Sequence, residues 1–110
     1  MVQTKSDLFS TELSSNAEFF KALAHPARLQ ILQFLAESKS CITGDISDEL
    51  PLGRTTVNQH IKELKKVGLI QGHVAGVKTK YCLNPSKVKE LKQSLQLFLN
   101  KLNDKGVDCQ

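Results

Sequence analysis

The chain has no tryptophan and one tyrosine, and five phenylalanines complete its aromatics. A core built around stacked rings is excluded. The interior must come from Leu, Ile, Val and Ala, a composition that favours packed helices. No apolar run approaches the roughly 18 residues needed to cross a bilayer, so no membrane span is expected. The opening MVQTKSDLFSTEL has no basic stretch followed by an apolar one and does not read as a signal peptide, which points to the cytoplasm. The three cysteines, Cys41, Cys82 and Cys109, form no CxxC or CxC pair. That excludes a zinc ribbon, and the odd count without an export signal argues against a disulfide framework. No nucleotide loop, metal pair or nucleophile–base constellation is present, so the chain does not read as an enzyme.

At 110 residues the chain has room for one core, so residues 1–110 are read as a single domain. Charge is unevenly spread. Residues 1–50 hold four Lys/Arg against seven Asp/Glu, a balance of −3, and residues 51–110 hold eleven against four, a balance of +7. A positive field gathered in one half suits a polyanion, because release of counter-ions from DNA phosphates needs a clustered patch.

Periodicity places the elements. Phe9, Leu13, Ala17, Phe20 and Ala24 recur at helical spacing from about Leu8, and His25-Pro26 interrupts them. Proline suits the first position of a helix, so a second helix is predicted from Pro26 to about Glu37, apolar nearly all round and so buried on several sides. A short third helix is predicted from a Thr43 cap to Leu50. The fourth runs from Arg54 to Val67, with Gly53 as N-cap and Gly68 as its stop. Val57, Ile61 and Leu64 form its apolar stripe; Arg54, Thr55, Asn58, Gln59 and Lys62 lie off it. Leu69–Val74 and Val77–Leu83 read as strands joined at Ala75-Gly76. In the second strand Lys78, Lys80 and Cys82 share one face, and Thr79, Tyr81 and Leu83 the other. A last helix after Pro85 carries Val88, Leu91, Leu95, Phe98 and Leu102 at the three-and-four spacing of a helix that packs on another helix.

The expected fold class is mainly α with a small β-hairpin: a winged helix-turn-helix of five helices and a two-stranded wing. Amide side chains pair with adenine edges and arginine with guanine or phosphate, and the first turns of such a fourth helix lie deepest in the major groove. Thr55, Asn58 and Gln59 are therefore candidates for base edges. Arg54, Lys62, Lys78 and Lys80 are candidates for phosphate. His60 borders the apolar stripe and is read either as a phosphate contact or as a helix support.

FKALAHPARLQILQFL (Phe20 to Leu35) and TTVNQHIKELKKVGLIQG (Thr55 to Gly72), at this separation and followed by the hairpin, resemble the ArsR/SmtB family of bacterial winged-helix repressors. The resemblance covers about Ala17 to Leu99. It implies a homodimer held by the first and last helices, with the fourth helix on double-stranded DNA. The residues agree: the seam Val88–Leu102 and the stripe Phe9–Phe20 read as opposite ends of a small domain, which a single core could not bury together.

Many members of that family sense metals or metalloids, which directs attention to two places. Near the third helix, where arsenic-responsive members carry CxC, this chain has Cys41-Ile-Thr-Gly-Asp45 with one cysteine. In the last helix, where zinc-type members carry histidines, Ser86 to Lys105 has none, so zinc is not expected there. Cys41 and Cys82, with Cys109 as a further donor, remain as a candidate site for arsenic(III), antimony(III) or another soft thiophilic ion, against the reading that they are small buried hydrophobes. A regulator that is constitutive or answers thiol oxidation is the alternative. A protein–protein module built on the heptad helix is a third reading, which the lysines after residue 54 oppose.

Overall fold

The structure is a computed structural model and describes residues 8–38, 41–43, 46, 50–75 and 78–102. Four α-helices and three strands run in the order α1 (Thr11–Leu23), α2 (Pro26–Ser38), β1 (Ile42–Thr43), α3 (Arg54–Lys66), β2 (Ile70–Ala75), β3 (Lys78–Leu83) and α4 (Pro85–Leu102). The sequence predicts five helices; the described residues contain four. The expected helix from Thr43 to Leu50 falls mostly outside the described residues, although Ile46 and Leu50 are both buried in the core.

Local chemistry sets the helix ends. The Ser10 hydroxyl accepts the Leu13 N–H at 3.1 Å and starts α1. The next helix starts on the proline, whose missing N–H costs nothing there. His25 caps it: Nδ1 accepts the Ala27 N–H at 3.0 Å, and the carbonyl accepts from Arg28 and Leu29. At the end of α3, Gly68 takes φ +82°. Its N–H donates to the Lys65 carbonyl and the Leu69 N–H to the Leu64 carbonyl, the paired bonds of a Schellman stop. Leu64 and Leu69, the residues such a stop brings together, are both fully buried.

The core gathers Phe19 and Ala22 of α1, Ile31 and Leu35 of α2, Val57, Ile61 and Leu64 of α3, and Leu69 and Ile70 at the start of the wing. This differs from the sequence reading in two places. In α1 the buried residues are Phe19 and Ala22, while Phe9 and Leu13 of the expected stripe stay exposed. In α2 burial is one-sided, with Leu29 48% exposed. The α4 seam is not remote from α1 either. The Phe20 and Phe98 rings meet at 5.8 Å, tilted 59° to each other, and Lys101 pairs with Glu12 at 3.3 Å, so the two helices lie side by side in one protomer.

The wing is larger than the expected two strands. β1 adds to it, giving an antiparallel sheet in the order β1-β3-β2. Pairing runs from Ile70↔Leu83 to Ala75↔Lys78, so the connection falls at residues 76–77, one residue beyond the predicted Ala75-Gly76.

Candidate nucleic-acid interface

Burial fixes which face of α3 is outward. Val57, His60, Ile61 and Leu64 are buried, and Arg54, Thr55, Asn58, Gln59 and Lys62 are exposed, as are Lys65 and Lys66. At 100° per residue, Thr55, Asn58, Gln59, Lys62 and Lys66 form one continuous outer ridge. Its first half carries hydroxyl and amide groups and its second half carries cations. The ridge is therefore suited to base edges at one end and phosphates at the other.

The wing stands beside this ridge. Asn58, Lys62, Lys65 and Tyr81 border an open groove of ≈ 360 Å³ between α3 and the sheet. The Lys65 ammonium reaches over Gly72 of β2, where a Cβ would lie 3.1 Å from it. Lys80 is exposed on β3. The backbone of Lys78 opens the same strand, and its side chain lies outside the described set. His73 is exposed on β2, with Nε2 3.3 Å from the Gln71 amide oxygen.

His60 does not join the outer ridge. It is 9% exposed, its ring centroid is 4.2 Å from that of His25, and its Nδ1 accepts from Arg28 Nε at 3.1 Å. Burial lowers its pKa below the usual 6.5, and the charges of His25 and Arg28 lower it further. The imidazole is thus neutral near pH 7, with Nδ1 bare and the proton on Nε2.

A family model described as a helix-turn-helix domain matches residues 23–73. An uncharacterised HTH-type transcriptional regulator of Methanocaldococcus jannaschii is 39% identical over 75 residues, spanning 68% of this chain and 84% of that one. The HTH-type transcriptional repressor SmtB of Mycobacterium tuberculosis is 35% identical over 71 residues, 64% of this chain and 52% of the relative. The fold matches an ArsR-like transcriptional regulator from Rhodococcus with a TM-score of 0.65 at 20% identity, covering 84% of this chain and 87% of the other. The chain belongs to the ArsR/SmtB family of helix-turn-helix transcriptional regulators. It is a DNA-binding regulator, not an enzyme.

In this family member α3 lies within the matched helix-turn-helix segment, and the wing is β2–β3 with β1 added along β3. The cysteines fall at that edge. Cys41 and Cys82 extend the pairing Ile42↔Tyr81 by one step and are joined as a disulfide, with Cα atoms 4.4 Å apart. The odd cysteine count argues against a disulfide framework, and the Cys41–Cys82 bond overturns that expectation. Bridged sulfurs hold no ion. Once reduced, the same pair presents two thiols on adjacent strands, a donor set that fits a soft ion taking two thiolates. Among the described residues no group of three or more His, Cys, Asp or Glu side chains converges to hold a metal. Cys109 lies outside the described residues.

Three features of the interface are absent from the sequence reading. Lys65 and Lys66 follow Lys62 by three and four residues, so their outward placement on α3 is available from spacing alone, while the other two depend on tertiary packing. Tyr81 borders the groove because it pairs across the ladder with Gly72, over which Lys65 of α3 reaches. Arg28 reaches His60 across 32 residues of chain, and no local pattern announces that.

Proposed function

We propose that the protein is a sequence-specific repressor that works in the cytoplasm as a two-fold dimer on double-stranded DNA. Thr55, Asn58 and Gln59 reach base edges, and Arg54, Lys62, Lys78 and Lys80 hold phosphates. The observation that carries this reading is the burial of Val57, Ile61 and Leu64, which turns the polar residues of α3 outward as one ridge beside the wing. Two copies related by a two-fold axis would set their ridges about 34 Å apart, one turn of the duplex. Occupied promoter DNA then excludes polymerase. Gel shifts with cognate and scrambled duplexes test the reading; equal affinity for both would defeat it.

The dimer is supported by apolar surface that one protomer leaves uncovered. α4 has no buried residue, and Leu95, Leu99 and Leu102 are 37%, 53% and 62% exposed; on the N-terminal side of the adjoining α1, Phe9 and Leu13 are 59% and 50% exposed. An apolar patch of this kind on a small domain marks an association surface.

For the effector, the reduced Cys41–Cys82 pair is the proposed site for arsenic(III), antimony(III) or a similar thiophilic ion, with Cys109 as a possible third donor. A curated relative from Listeria innocua, 28% identical over 89 residues, is named a cadmium resistance regulatory protein. The disulfide favours a second reading: hydrogen peroxide takes two electrons and two protons from the thiols, closing the bridge and leaving two waters. Either event changes the bond between the strand leading into the helix-turn-helix and the wing.

A further inference from the structure

We propose that the corner between α1 and α2 is a second seat for DNA backbone phosphate, on the flank of α3 opposite the wing, and that His60 is the positioning residue that holds Arg28 there. This rests on the DNA-binding reading and extends it to residues outside the helix-turn-helix and the wing.

The seat is a depression of ≈ 460 Å³ in which cations from three helices meet: Lys21 of α1, Arg28 of α2, and Lys62 and Lys66 of α3. Glu63 is the single carboxylate lining it, and Lys66 already engages that group at 3.4 Å. With His60 neutral, the lining carries four positive charges against one negative. Lys62 and Lys66 also border the groove on the wing side, so they form the crest between two cationic hollows.

Groove dimensions explain why both flanks matter. A helix with its side chains is about 10–12 Å across and the major groove about 12 Å wide. A helix seated in the groove therefore fills it from wall to wall, and each wall is a row of phosphates. The wing side offers Lys65 and Lys80. The opposite wall meets the α1–α2 corner, where Lys21 and Arg28 stand.

Arg28 is built for this. Its Nε donates to His60 Nδ1 at 3.1 Å and Nη1 donates to the Lys21 carbonyl at 3.2 Å. A guanidinium has five N–H groups, so three remain without a partner among the described residues, enough for a two-point hold on phosphate. The two bonds fix the plane of the guanidinium before DNA arrives, which removes part of the ordering cost of binding. His60 accomplishes this without touching DNA. The residue that reads from sequence as a phosphate contact or a helix support acts on phosphate through its neighbour.

The test is the salt dependence of binding, measured by fluorescence anisotropy with a labelled duplex selected from a randomised pool and with a scrambled duplex. Arg28→Ala and Lys21→Ala should weaken both duplexes alike and each flatten the slope of log K against log salt by about 0.9, the value for one lost phosphate contact. His60→Leu should flatten it as Arg28→Ala does. His60→Asn, whose amide oxygen takes the place of Nδ1, should restore it. Asn58→Ala, in contrast, should weaken only the selected duplex and keep the slope. Lys21 is exposed, so its variant folds even if those at His60 do not. A wild type that binds with a steep slope, retained by folded Arg28→Ala and Lys21→Ala, overturns the seat and leaves the DNA reading standing. A wild type that binds neither duplex overturns both.

Discussion

Cys41 and Cys82 stand directly opposite each other across the β1–β3 ladder, with Cα atoms 4.4 Å apart, the spacing of a pair not bridged by backbone hydrogen bonds. The pair continues the ladder Thr43↔Lys80, Ile42↔Tyr81 by one step, so the register of the sheet itself sets the two cysteines opposite each other. Cys41→Ser and Cys82→Ser should each keep DNA affinity and lose release by arsenite or by peroxide. Anisotropy titrations of the reduced protein with each agent, against zinc as a poor releaser, separate the two effectors. If both variants respond like the wild type, the cysteines are core filler.

Asn58→Ala and Gln59→Ala should each cost about 1–3 kcal/mol at the cognate site and relax specificity there. Lys80→Ala should weaken all sequences equally. Competition with duplexes mutated one base pair at a time distinguishes the two behaviours.

Leu95→Glu should dissociate the dimer. Leu95 is 37% exposed in the protomer, and a carboxylate buried against a partner helix has nothing to pair with. Sedimentation of wild type and variant at micromolar concentration reads this; a monomeric wild type would refute the association.

Gly68→Ala should lower stability by about 1–2 kcal/mol, the cost of a left-handed residue other than glycine. The added Cβ meets only the flexible stem of Lys87, at 3.0 Å, so the backbone conformation at φ +82° sets the penalty. Thermal melts check it, and an unchanged midpoint would show that the helix stop tolerates a side chain.

Acidification should destabilise the protein through His60. Burial, then His25 and Arg28, hold its folded pKa below the unfolded 6.5. The unfolded chain binds the proton first, so this contribution is complete above about pH 6.5 and is lost as pH falls toward the lower folded value. His25 and Arg28 touch its ring and both oppose its protonation, while Lys21, Lys62, Lys66 and the carboxylate Glu63 line the same depression. Denaturant melts at about pH 7.5 and about pH 5.5 should show the loss in wild type and less of it in His60→Asn.

The legible part of the protein is the part written in short-range pattern. Val57, Ile61 and Leu64 at spacings of four and three determined which side of α3 is buried and hence which residues form the outer ridge. Gly68 announced the end of that helix, and alternation in β3 separated Lys80 from Tyr81. Each of these depends on residues within a turn or a strand of one another, where backbone geometry alone fixes the neighbours. The rest was decided between distant segments. The packing of α1 chose Phe19 and Ala22 over the Phe9–Leu13 stripe, because those two residues join the core that α2 and α3 supply. Cys41 and Cys82 are 41 residues apart and meet only because β1 joins the wing. Arg28 finds His60 across 32 residues because two helices cross at one corner. Sequence states which faces must be buried; only the packed chain decides what each face is buried against.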